Sequence, residues 1–230
     1  MGIDMERITY QLHWDAMLVH DCALPSDFVG AQKHVRMVMN NSMQYAFLNH
    51  FFPQFSLPIQ EKPKVWISGG DKNIVAGTPQ FCKHVGSMIR RRGLLANLSM
   101  RENLLLPFLY IEDKACLKKA EAEVDEVAEF LGLASGLNEQ AGERSAYTHA
   151  LISLGHCLLK KPDVIVAQEV HIGMPPERLQ IFRDKAMQAM AKLDAGVLYL
   201  TSASDEGSGL DFARTYEIEC ASVPDMSGIW

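Results

Sequence analysis

The sequence predicts an α/β fold: a buried, largely parallel sheet carrying a helical insertion. Three observations lead there. Short β-rich runs at 35–39 (VRMVM), 64–68 (KVWIS), 164–167 (VIVA) and 197–201 (VLYLT) alternate with helical patterns. The closing part reads helix, strand, helix, strand, which is a βαβ unit. VIVA is apolar on both faces, as a central parallel strand must be.

The helices follow from periodicity. Between Lys114 and Leu131, apolar Leu117, Ala120, Val124, Val127 and Leu131 recur every three or four residues, and Gly132 follows as a C-cap. Pro175-Pro176 opens a second amphipathic segment, with Leu179, Phe182, Ala186, Ala189 and Leu193 on one face and Gly196 at its end. A third helix runs from about Ser145 to Lys160, directly before VIVA. The stretch from about 95 to 160 is almost wholly helical. The loop 52–63 carries three prolines and reads as an insertion or a partner contact.

Bulk properties narrow the function. The 230 residues are 48% hydrophobic, enough for a packed core. The net charge of −6 argues against nucleic acid, whose phosphates need a basic surface. No 18-residue apolar run spans a bilayer, and the first residues carry no apolar leader segment. The five cysteines form no CxxC pair, which fits reduced cytosolic thiols. His149 and His156 share a helix face with no third ligand spaced to help, so no metal is expected.

Two stretches carry a resemblance. GLLANLSMRENLLLPFLY (93–110) resembles the segment after the Q-loop of ABC transporter ATPases, especially those of phospholipid and Mce-type systems. ERSAYTHALISLGHCLLKKPDVIVAQEV (143–170) resembles their signature motif, signature helix and Walker B strand, in order and spacing. The resemblance implies an ABC ATPase-like P-loop NTPase fold: a RecA-like core, an N-terminal β region and a helical subdomain. One domain over 1–230 is expected, with core at 1–94 and 160–230 and the helical subdomain at about 95–160.

The resemblance also implies where the family's chemistry should lie. A phosphate loop needs glycines, a lysine and a magnesium-holding hydroxyl between a strand and a helix. In the register taken here, Met39 and Gln44 replace the glycines, Tyr45 the lysine and Ala46 the hydroxyl. Gly69-Gly70 follows a strand without the required spacing and reads as a turn. Arg90 takes the Q-loop position. Ser145 survives in the signature and caps its helix, whereas Tyr147 fills glycine space. Gln168 replaces the Walker B aspartate, and Glu169 remains as a vestigial base or a hydrogen-bonded carboxylate. Pro175 and Ser202 stand at the D-loop and switch-histidine positions.

These departures lead to the expectation of a pseudo-ATPase with no cofactor, acting as a structural or regulatory subunit of a lipid-related transport complex. Its partner would be a membrane permease or another ABC ATPase subunit, with a homodimer possible. The docking candidates are Arg90, Arg91, Arg92, Leu94, Leu95 and Asn97. The protein would lie peripherally on the inner face of the cell membrane. Two alternatives stay open: a slow ATPase with altered motifs, and a stand-alone dimer with Tyr45, Tyr147, Trp14, Asn40 and Asn41 around an uncharged pocket.

Overall fold

A computed structural model describes residues 10–19, 22–31, 33–52, 65–90, 94–109, 114–142, 145–203 and 210–219. An antiparallel sheet comes first. It joins β1 (Gln11–Trp14), β4 (Asp27–Val29), β6 (Val65–Gly69) and β7 (Lys72–Val75) in the order β4-β1-β6-β7. Between β1 and β4, the strands β2 (Met17–Val19) and β3 (Cys22–Leu24) form a two-stranded pair. The Gly69-Gly70 stretch is the expected turn, joining β6 to β7, with Gly70 at φ 57°. Of the proline-rich loop 52–63, all but Phe52 lies outside the described residues.

The central sheet is parallel throughout. It orders β11 (Arg214–Glu217), β5 (Val35–Val38), β10 (Gly196–Thr201), β9 (Val164–Gln168) and β8 (Val85–Ile89). Every residue of β9 is buried. Period-two alternation then divides the sheet between two cores. Val164, Val166, Leu198 and Leu200 face one side, towards the antiparallel sheet. Ile165, Ala167, Val197 and Tyr199 face the helical side.

Helix α1 (Asn41–Phe51) packs into the first core. Asn40 caps it by accepting from the Met43 N–H. Its buried Phe47 and Phe51 stack edge-to-face at 5.0 Å, and each contributes about 2 kcal/mol by leaving water. Helix α2 (Pro79–His84) leads into β8.

The helical region holds α3 (Met100–Leu109), α4 (Lys114–Leu131) and α5 (Ala146–Lys160). Gly132 ends α4 at φ 76°, as expected. Helix α6 (Pro176–Leu193) crosses between β9 and β10 and buries Phe182, Ala189 and Leu193. Gly196 does not end α6, contrary to expectation. Asp194 does, in the left-handed conformation, and Gly196 opens β10 because a Cβ there would meet the Gly30 backbone.

Two polar devices shape α3. Ser99 and Glu102 bond reciprocally through side chain and backbone, and this capping box holds the Glu102 carboxyl below its usual range. Pro107 inside α3 has no N–H to give the carbonyl four residues back. That carbonyl, of Asn103, accepts instead from His156 Nε2 at 2.8 Å. Burial, opposed by this bond, lowers the His156 pKa to about 4, so the ring stays neutral and donates. His156 is therefore a helix-packing residue.

Candidate functional site

Four strand ends meet at the C-terminal edge of the parallel sheet, the place where open α/β sheets bind ligands. Backbone bonds tie them sideways. Met39 N donates to Thr201 O at 2.9 Å, Arg90 N to Gln168 O at 3.1 Å, and Glu169 N to Leu200 O at 3.1 Å. Glu169 itself sits at φ 42°, a left-handed conformation that is strained for a residue with a side chain.

The Glu169 carboxylate is 1% exposed and surrounded by donors. Gln44 Nε2 donates to it at 3.1 Å, and to Met39 O at 2.9 Å. Asn41 Nδ2 donates to its two oxygens at 3.0 and 3.1 Å, the amide being assigned so because the opposite orientation faces oxygen with oxygen. Arg90 Nη1 stands 3.8 Å away. Asn41 and Gln44 both belong to the first turn of α1, whose dipole favours an anion. Gln168 lies at the end of β9 with its side chain buried.

The expected phosphate-loop register does not survive. Gln44, Tyr45 and Ala46 lie inside α1, because Met39 and Asn40 alone separate β5 from the helix. Gln44 enters the site. Tyr45 is 40% exposed on the helix surface, and Ala46 packs against the first core. The residues heading the helix, where a phosphate loop places its lysine and hydroxyl residue, are Asn41 and Ser42. Sequence reasoning named Asn41 only as a lining residue of an uncharged pocket, and it missed Ser42. A triphosphate is wrapped by successive loop N–H groups and a lysine. The junction here has two residues, neither of them glycine or lysine, and it faces the Glu169 carboxylate.

Other expected positions fall elsewhere. Ser145 caps α5, accepting from Thr148 N. Tyr147 is half-buried under the Arg178 guanidinium, 5.1 Å from the ring centre, and Pro175 caps α6. Among the described residues, no hydrogen bond joins these three to Glu169. Ser202 is exposed just beyond β10. Trp14 is buried edge-on to Phe47 while Tyr45 is exposed, so these two do not line the expected uncharged pocket together. Among the described residues, no cluster of three His, Cys, Asp or Glu is placed to hold a metal.

The docking candidates divide. Arg90 is turned inward towards Glu169 and is no free basic patch. Arg91 and Arg92 lie outside the described residues. Leu94 packs against the helical core, while Leu95, at 46%, and Asn97 are exposed. Asn103, itself fully buried, organises this ledge. Its Oδ1 accepts from Leu95 N at 2.6 Å, and its Nδ2 faces the carbonyls of Leu95, Leu98 and Ser99 at 3.0, 3.3 and 2.9 Å.

The fold is that of the ATP-binding cassettes of ABC transporters. The cassette MJ1267 in its ADP conformation matches with a TM-score of 0.66 and 17% identity, covering 92% of this chain and 89% of that one. An ATP-binding subunit of an ABC transporter matches with a TM-score of 0.67 and 15% identity, over 92% and 89%. No family model matches the sequence. Among sequence relatives, the bacitracin transport ATP-binding protein BcrA of Bacillus licheniformis is 25% identical over 131 residues, 57% of this chain and 41% of its own. The macrolide export ATP-binding/permease protein MacB of Neisseria gonorrhoeae is 28% identical over 140 residues, 60% of this chain and 21% of its own. The match thus spans less than half the length of either relative.

These relatives correct the expectation that the chain is a pseudo-ATPase. They are named as ATP-binding components of transporters, and the changes at the head of α1 are not evidence of lost activity. Their names also concern bacitracin and macrolides, not phospholipids.

Proposed function

We propose that the chain is a cassette-fold subunit of a membrane transport complex, acting as one domain and docking on a permease from the cytoplasmic face. The ledge 94–99 carries this reading. It is an irregular segment made rigid by Asn103, and it presents Leu95 outward. A pre-ordered surface with a protruding apolar side chain suits a partner helix, because little ordering entropy remains to be lost on binding. The resemblance of 93–110 to the segment after the family's Q-loop supports the same surface.

A second cassette subunit, identical or not, is the further partner in this proposal. A lipid-related cargo rests only on the resemblance of 93–110. Among the described residues, no helix is long and apolar enough to cross a membrane.

Leu95→Asp tests the ledge, since Leu95 is exposed and its replacement leaves the core intact. Tagged full-length protein, purified from detergent-solubilised membranes, should bring down a permease. The variant should lose at least about 90% of it, the effect of a hot-spot residue. A variant that co-purifies as well as the unaltered chain refutes the docking surface.

A further inference from the structure

The head of α1 points to an oxyanion seat that the chain fills for itself. We infer that the Glu169 carboxylate occupies the position a phosphate group takes at the head of such a helix, and that removing it creates a site for inorganic phosphate. The reading rests on the geometry of the seat and is independent of the docking surface.

The donors belong to the first turn of α1. Asn41 Nδ2 reaches both oxygens of the carboxylate, and Gln44 Nε2 reaches one. The N-terminal dipole adds to them. Arg90 Nη1, at 3.8 Å, brings a cation within reach, and its Nε has no hydrogen-bond partner among the described residues. The backbone commits Glu169 to this seat. It is held at φ 42° by bonds from its N–H to Leu200 O and from Ile172 N to its carbonyl. Strain of this kind persists only where the surroundings fix it.

An independent observation identifies the class of ligand. Gln44 Oε1 and Gln168 Oε1 are buried acceptors without a hydrogen-bond partner among the described residues, in residues 0% and 1% exposed. The free oxygen of Gln44 belongs to the same amide that donates to Glu169. A carboxylate cannot donate a proton to the Gln44 oxygen. Hydrogen phosphate can: its anionic oxygens would accept from Asn41, Gln44 and Arg90 while its P–OH donates to an amide oxygen.

The test uses the purified full chain, unaltered and as Glu169→Ala, Glu169→Gln and Glu121→Ala. Glu121 is exposed in the middle of α4 and controls for net charge. Each protein is melted across a phosphate titration at constant ionic strength. In chloride, Glu169→Ala should melt lower than the unaltered chain. Phosphate should restore it, with half-saturation at least about tenfold below any response of the unaltered chain or Glu121→Ala. Glu169→Gln should also melt lower but stay unrestored, because its amide still fills the seat without the charge. If Glu169→Ala does not fold in chloride, recovery of its circular dichroism with phosphate supports the seat, and no recovery overturns it. A Glu169→Ala curve that parallels Glu121→Ala overturns the inference, as does Glu169→Gln melting with the unaltered chain.

Discussion

Replacing Asn103 with alanine removes the side chain that holds the ledge. Four contacts go with it: one from the Leu95 N–H and three to carbonyls of residues 95, 98 and 99. The amide has two protons for three carbonyls, so three full hydrogen bonds is the appropriate count. At about 1 kcal/mol net each, the loss is about 3 kcal/mol. For a chain of this size that corresponds to a melting temperature lower by about 6–12 °C. Aspartate is the sharper test. It has nearly the same shape and still accepts from Leu95 N, but it donates nothing and sets a negative charge against carbonyl oxygens. Asn103→Asp should therefore be at least about 1 kcal/mol less stable than Asn103→Ala. Urea denaturation followed by circular dichroism measures both. A loss below about 1 kcal/mol for the alanine variant, or an aspartate variant as stable as the unaltered chain, refutes the account.

Two further outcomes follow from packing and titration. His156 has a folded pKa near 4, below its ordinary 6.5, so its contribution to stability is complete above about pH 6.5 and is lost as pH falls towards 4. His156→Gln can donate the same bond without titrating, and it should flatten the stability–pH curve in that window by up to about 1.4 kcal/mol per pH unit. An unchanged slope counts against the assignment. Gly196→Ala drives a Cβ to within 2.6 Å of the Gly30 carbonyl carbon, which is backbone and cannot yield, and should cost about 3 kcal/mol. Gly155→Ala meets only side-chain ends of Leu104, Leu131 and Val127, and it gains helix propensity, so it should cost about 1 kcal/mol. Chemical denaturation should place the two in that order.

The α5–β9–α6–β10 run was legible in the sequence because its helices keep a 3.6-residue period and its strands are continuous apolar runs. Strands β1 to β4, β7 and β11 were not. They are three or four residues long, and such segments are held by their neighbours more than by their own composition. Strand β8 (VGSMI) was not read as a strand; only Arg90, just beyond it, was singled out. The site was half legible. Glu169, Gln168 and Arg90 were found because the resemblance to a Walker B strand and a Q-loop marks their positions. The head of α1 was misplaced because a loop of fixed length was assumed between β5 and the helix. The signal that corrects it was present: an asparagine pair and a serine before MQYAFLNHF is a helix start, and Asn40 is the N-cap. Asn103 was seen within a motif, but its role depends on contacts that no spacing displays.

The proline in α3 makes two distant positions epistatic. Position 156 must supply a donor because position 107 cannot, so a substitution at His156 is judged by the residue at 107 as much as by its own surroundings. A helix-restoring change at 107 would release 156 to vary. The same change would leave a histidine there with its bond contested. Substitutions at the two sites are thereby coupled, although 49 positions of chain separate them.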